Sequence, residues 1–164
     1  MSRLARIELE SLAATRRVAR TLAASLPANA TVAIDGDLGA GKTTFIKSLA
    51  AAVGIDPAEV TSPTFGIVHV HDVPPDPAAP RPPRLVHVDA YRLAGASELG
   101  SIGWADLEEG PGWLVVEWAE RLGGSLPANR LTLSLEVVGE DSRRLLVSSP
   151  GPPYDRVVEA LLDP

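Results

Sequence analysis

Between Gly36 and Thr43 the chain reads Gly-Asp-Leu-Gly-Ala-Gly-Lys-Thr, with the spacing G-x-x-x-x-G-K-T. Glycines let successive backbone N–H groups turn inward around an anion with no Cβ in the way. The lysine adds a cation on a long stem, and the hydroxyl beside it is a ligand for a hard metal ion. Such a set suits a polyphosphate, with Lys42 directed to the β- and γ-phosphates and the Thr43 hydroxyl to Mg²⁺. Gly36, Asp37, Leu38, Gly39, Ala40, Gly41, Lys42, Thr43 and Thr44 are therefore the candidate nucleotide loop. The bare pattern arises by chance in roughly one chain of this length in a hundred, so its surroundings decide.

Those surroundings must be a strand feeding the loop and a helix leaving it. Thr31–Asp35 is short, β-branched and bounded by turn formers, which predicts the strand. From Lys42 to Val53 the period becomes helical, with Phe45, Leu49 and Val53 in one stripe and Gly54 as the stop. The helix aims its positive end at the same anion.

A phosphate site of this kind also needs an acid at the tip of a neighbouring strand. Two apolar runs end in one: Leu85–Asp89 and Trp113–Glu117, both reading as buried strands of a parallel sheet. Asp89 and Glu117 are the candidates, and spacing alone leaves open which binds the metal and which polarises water. The lysines, Lys42 and Lys47, lack the N/T-K-x-D context used to read guanine, so adenine or weak base selectivity is expected. His69, His71 and His87 raise a transition-metal alternative. No converging third and fourth ligand is identifiable for it, and Mg²⁺ with nucleotide is the expectation.

Around this centre, Ser11–Leu26 reads as an amphipathic helix capped by Ser11 and stopped by Pro27. Its inner face is expected to hold Leu12, Thr15, Val18, Ala19, Leu22 and Leu26, with Arg16, Arg17 and Arg20 elsewhere. Phe65–Val73 alternates like a strand. Pro74–Pro83 holds six of the 15 prolines and reads as a solvated, semi-extended loop. Ser97–Leu107 has room for one or two short helices. Leu131–Val138 and Arg144–Ser148 suggest a closing β-hairpin, and Tyr154–Leu162 a terminal helix with Val157, Val158, Leu161 and Leu162 inward. Strands alternating with helices predict a three-layer α/β fold in one domain, residues 1–164, with a central, largely parallel sheet and a C-terminal β-hairpin and helix.

The 164 residues carry 15 Lys and Arg against 21 Asp and Glu, a net charge of -6. That balance excludes an overall electrostatic footprint for gripping nucleic acid or an anionic membrane. Zero cysteines exclude disulfides, thiolate metal sites and cysteine nucleophiles. No apolar run reaches the about 18 residues of a membrane span. The first ten residues, MSRLARIELE, alternate charged and apolar side chains and lack the apolar stretch of a secretory signal. A cytoplasmic setting is expected.

The succession GDLGAGKTTF (36–45), SPTF (62–65), HVDAYRL (87–93) and VEWAERL (116–122) resembles the TsaE (YjeE) family, in the family's motif order. This family comprises small P-loop ATPases of tRNA threonylcarbamoyladenosine biosynthesis. The resemblance implies that Lys42 binds phosphate, that Thr43 and Glu117 associate with Mg²⁺, and that Asp89 is an acid needed for hydrolysis. It places Thr15 and Trp118 near the nucleotide and Ser62-Pro63-Thr64-Phe65 in a switch-like segment near the γ-phosphate, which Thr64 could sense through its hydroxyl. It implies ATP and Mg²⁺ as cofactors and action with TsaD and TsaB, which modify adenosine 37 of tRNAs reading codons that begin with A. Contact with tRNA is expected only through that pair, and none with membrane. Departures are His71 where the family often has tyrosine, Glu117-Trp118-Ala119 in place of Glu-Trp-Pro, and a longer proline-rich segment.

Two rival readings are a small-molecule kinase and a nucleotide-gated binding module. The first expects a lid rich in arginines, yet only Arg92 lies between Ala90 and Gly112. Arg92 is a candidate finger in cis or an anchor for its own loop.

Overall fold

The computed structural model describes residues 2–62 and 67–163. In chain order the elements are β1 (Arg3–Leu9), α1 (Leu12–Ser25), β2 (Thr31–Gly36), α2 (Lys42–Ala52), β3 (Val68–Asp72), β4 (Arg84–Asp89), α3 (Trp104–Glu109), β5 (Trp113–Glu117), β6 (Leu131–Val137), β7 (Arg143–Ser149) and α4 (Asp155–Leu162). Short 3₁₀ turns lie between several of them, the longest at Ala96–Ile102.

The strands form one seven-stranded sheet in the order β1-β7-β6-β2-β5-β4-β3. Its four middle strands, β6, β2, β5 and β4, are mutually parallel. The margins are antiparallel: β7 returns from β6 and pairs with β1, and β3 pairs with β4. Connection length explains two of the antiparallel pairings, β6–β7 and β3–β4, because strands joined by a short connection reverse while a parallel neighbour needs a long crossover.

Side-chain alternation divides the sheet's apolar residues between two cores. Val32, Ile34 and Val115 join Leu22, Phe45, Leu49 and Val158 of the helices on one face. Ala33, Val86, Val88, Leu114 and Val116 point the other way, toward Leu99, Trp104 and Leu122. Helices α1, α2 and α4 thus cover one face, and α3 with its flanking 3₁₀ turns covers the other, completing the three layers. Every residue of β5 is buried, as expected for a strand enclosed on both faces and both edges.

Helix α1 starts where expected, with the Ser11 hydroxyl accepting from the Ala14 N–H at 3.1 Å. Its inner face differs at one position: Leu12 is 48% exposed and Ala14 is buried instead. Leu162, expected inward, is exposed at the last turn of α4. Strand β1 was not anticipated as a strand, although Ala5 and Leu9 alternate inward, because its pairing partner lies some 140 residues away in β7. Of the expected strand at 65–73, the structure holds Val68–Asp72; residues 63–66 lie outside the described residues.

The proline-rich connection between β3 and β4 is an irregular and mostly exposed loop, and it is fastened by its own side chains. The Asp76 carboxylate accepts from the Ala78 N–H and pairs with Arg81 at 3.0 Å, and Arg81 also donates to the Pro74 carbonyl. The Val73 N–H closes the hairpin on the Pro83 carbonyl.

The start of β2 is anchored from the far end of the chain. The buried Tyr154 hydroxyl accepts from the Thr31 N–H at 2.9 Å. Tyr154→Phe leaves that buried donor without a partner, at a cost of about 1–3 kcal/mol. Urea unfolding of the two proteins measures this as a lowered midpoint with an unchanged slope.

Candidate functional site

Strand β2 delivers the chain to Gly36, whose φ is 151°, and a Cβ there would meet the Leu135 carbonyl oxygen at 2.7 Å. Gly39 and Gly41 also hold positive φ, 80° and 99°, so the loop's path depends on residues without side chains. Helix α2 starts at Lys42 with no side-chain cap, leaving its first N–H groups directed into the loop.

Lys42 is buried, and its ammonium donates to the carbonyls of Gly36 at 2.5 Å and Asp37 at 2.9 Å. The same ammonium sits 3.8 Å from the centroid of the Trp118 ring. Burial lowers its pKa, and Glu117, Glu120, Asp89 and Asp37 partly restore it. Next along the helix, the Thr43 hydroxyl donates to Glu117 Oε1 at 2.8 Å and lies 2.9 Å from the Ser62 hydroxyl. Since Thr43 has one proton, Ser62 is the donor in that second bond.

Glu117 is 2% exposed at the end of β5. Its other oxygen, Oε2, is 2.7 Å from Nε2 of His87, which is fully buried on β4. Among the described residues His87 Nδ1 has no partner, and because a carboxylate oxygen accepts, Nε2 is the donor to Glu117. Asp89, two residues along β4, is in register with Glu117 across the parallel pair. Its Oδ1 accepts from the Tyr91 N–H at 2.9 Å, and its pKa is raised, chiefly by burial and also by the nearby Glu117 charge.

Trp118 follows in a left-handed conformation (φ 56°), the one such non-glycine among the described residues. That backbone is costly for a bulky side chain. It turns the indole off the end of β5 and beneath Lys42. Tyr91 packs on the indole with ring centroids 4.9 Å apart, and the Arg121 guanidinium covers Tyr91.

The expected residues converge. Leu38, Gly39, Gly41, Lys42, Thr43 and Thr44 border one cavity, of about 380 Å³, with Asp89, Glu117 and Trp118 opposite. Thr15 and Ala40 line an adjoining cavity of about 510 Å³, which also touches Gly41 and Thr44. The Thr15 hydroxyl bonds to the Ser11 carbonyl at 3.3 Å within its own helix. Gly36 and Asp37 contribute the carbonyls that hold Lys42. Thr64 lies outside the described residues.

Sequence reasoning missed the roles of His87 and Arg143 and the contact that Ser62, expected in the switch-like segment, makes with Thr43. His87 was weighed as a metal ligand, yet it supports Glu117, a role legible only from strand register. Ser62 belongs to the SPTF motif, but nothing in its type predicts a bond to Thr43. Arg143, the first residue of β7, lines both cavities and donates to the Ala40 carbonyl at 3.1 Å and the Gly39 carbonyl at 3.4 Å. Its Nη1 bonds carbonyls of its own hairpin turn, so one guanidinium clamps the turn to the glycine loop. His69 and His71 pack edge to face with centroids 6.2 Å apart. Among the described residues no group of three His, Asp or Glu side chains is arranged around a metal position.

A second acidic pair flanks the site. The Glu120 N–H donates to Asp35 Oδ1 at 3.0 Å, and the Glu120 carboxyl is pushed up to about 7 by burial and by the neighbouring Asp35 carboxyl. Between about 4.5 and 7 the folded chain therefore retains a proton that the unfolded chain releases, so stability falls as pH rises through that window. Glu120→Gln removes the effect: its melting temperature relative to the parent rises from pH 5 to pH 8. Glu120 is largely exposed, so the shift is small. Thermal melts across that range measure it.

A glycine loop between a parallel strand and a helix, with a lysine, a hydroxyl and a strand-end carboxylate at its mouth, defines a P-loop-type nucleotide-binding α/β protein. The model for the threonylcarbamoyl adenosine biosynthesis protein TsaE matches residues 9–145. The tRNA threonylcarbamoyladenosine biosynthesis protein TsaE of Bacillus subtilis is 35% identical over 147 residues, covering 90% of this chain and 87% of that one. Its namesake in Streptomyces coelicolor is 40% identical, covering 74% and 78%. The crystal structure of Bacillus subtilis YdiB superposes with a TM-score of 0.74 at 28% identity, over 99% of this chain and 97% of that one. The chain belongs to the TsaE family.

Proposed function

We propose that this chain binds and hydrolyses ATP with Mg²⁺ and serves threonylcarbamoyladenosine modification of adenosine 37 in tRNAs reading codons that begin with A. In this reading it works in the cytoplasm with a TsaD–TsaB transferase pair and meets tRNA through that pair. One observation carries the ATPase part: the direct contact between the Thr43 hydroxyl and the Glu117 carboxylate, beside Lys42 at the mouth of the glycine loop. No helix among the described residues is long and apolar enough to cross a membrane.

The donor set fits a hard cation that keeps most of its water, since one hydroxyl and one carboxylate suffice for Mg²⁺ beside phosphates. Thr43 and Glu117 would hold it, and when bound it supplies positive charge against the β- and γ-phosphate oxygens. The remaining work falls to this chain's own groups. Loop N–H groups and Lys42 bind and orient the phosphates, with Trp118 limiting where the ammonium can go. His87 holds the Glu117 carboxylate in one orientation. Asp89, whose raised pKa makes it a better proton acceptor, orients the attacking water. Rate enhancement then comes from positioning and electrostatics. Arg143 spends its donors on carbonyls, which supports a site that is slow alone and is completed by a partner.

Steady-state hydrolysis with Mg²⁺, alone and with the purified pair, tests this. The expected result is a low basal rate that rises clearly with the pair, and no rate in EDTA. Lys42→Ala should lower the rate at least about a hundredfold; retained hydrolysis in that variant overturns the loop assignment. Tight ATP binding without stimulation by the pair would leave the loop in place and remove the partner reading. His87→Ala should raise the Mg²⁺ concentration for half-maximal rate by about 10- to 100-fold with ATP affinity little changed, the signature of a residue that positions a ligand.

A further inference from the structure

Of the 15 Lys and Arg residues, Arg16, Arg17, Arg20 and Lys47 form no ion pair, side-chain hydrogen bond or ring contact among the described residues. The rest are engaged: Arg3 and Arg144 with carboxylates, Arg84 and Arg156 with backbone carbonyls, Arg121 with Tyr91, Arg143 with the glycine loop. The unpartnered cations fall in one place. Arg16 and Arg20 stand four residues apart on α1, and Lys47 faces them from α2 across a groove of about 280 Å³. Arg17 adjoins on the exposed side of α1.

Among the described residues no carboxylate lines this groove. Like charges four apart on a helix repel, and in a chain of net charge -6 their gathering is not a by-product of a basic surface. The floor is apolar, formed by Ala51, Ala52, Pro57 and the 48%-exposed Leu12. We propose that the α1–α2 groove docks an acidic segment of a protein partner, which sets an apolar side chain against Leu12 and carboxylates against Arg16, Arg20 and Lys47. An apolar centre rimmed by arginine is the make-up of a protein–protein contact. A phosphodiester backbone would leave Leu12 facing charge, and among the described residues no aromatic side chain lines the groove for a base to stack on. Thr44 lines both this groove and the two cavities at the glycine loop, so the docked segment and the nucleotide share the first turn of α2. The occupant rests on the reading that the chain acts with the transferase pair.

The test measures binding of the chain, at fixed ATP and Mg²⁺, to the purified TsaD–TsaB pair and separately to bulk tRNA. It compares the parent with Arg16→Glu/Arg20→Glu and with the neutral Arg16→Ala/Arg20→Ala/Lys47→Ala. Arg16 and Arg20 are exposed and Lys47 is half-buried, and thermal melts with ATP titration verify that both variants fold and bind nucleotide. The expected result is at least about a tenfold loss of affinity for the pair in the charge-reversal variant, a smaller loss in the neutral one, and a steep fall of parent affinity with salt. Unchanged affinity in both variants overturns the groove while leaving the partnership intact. Failure of the parent itself to bind the pair overturns the partnership, and the proposed occupant with it. Loss of tRNA binding with the pair unaffected overturns it in favour of RNA.

Discussion

Strand β5 is hydrogen-bonded to β2 on one side and to β4 on the other, in a register that sets Glu117 opposite both Ile34 and Asp89. Everything chemical in the molecule follows from that double pairing. β2 supplies the loop and the start of α2, β5 supplies the carboxylate that meets Thr43, and β4 supplies His87 and Asp89. A shift of one residue in either pairing would turn Glu117 to the other face of the sheet and take it away from Thr43. The register is held because Leu114, Val115 and Val116 fit between two cores, so a slip would misplace them all.

Within that frame the site is a short chain of buried polar groups: Ser62 to Thr43, Thr43 to Glu117, Glu117 to His87. A buried carboxylate is tolerated only with partners for both oxygens, and Glu117 has one on each. The arrangement makes the carboxylate's orientation a property of the sheet and not of a mobile loop. Trp118 extends the same logic to Lys42, at the expense of an unfavourable backbone conformation held by its N–H bond to the Ile34 carbonyl at 3.1 Å.

The two marginal hairpins do different jobs. The β6–β7 turn reaches back through Arg143 to the glycine loop, so the C-terminal part of the chain helps to shape that loop. The β3–β4 connection is fastened by Asp76 and Arg81 at the other margin of the sheet.

Sequence by itself determined the glycine loop, its flanking strand and helix, the two apolar runs ending in Asp89 and Glu117, and the closing hairpin. These are local signals: a backbone that only glycine adopts, a 3.6- or 2-residue period, a cap. The family's motifs added roles for Trp118 and Thr15 that spacing does not carry. Tertiary structure alone decided that His87 supports Glu117, that Ser62 bonds to Thr43, that Arg143 joins the site, that residues 3–9 form a strand, and that Leu12 faces solvent. Each depends on a partner far away in the chain, and neither residue type nor period encodes which distant strand a side chain will face. The same holds for the groove cations: the sequence shows arginines on one helix, and only packing α1 against α2 brings Lys47 to Arg16 and Arg20 over an apolar floor.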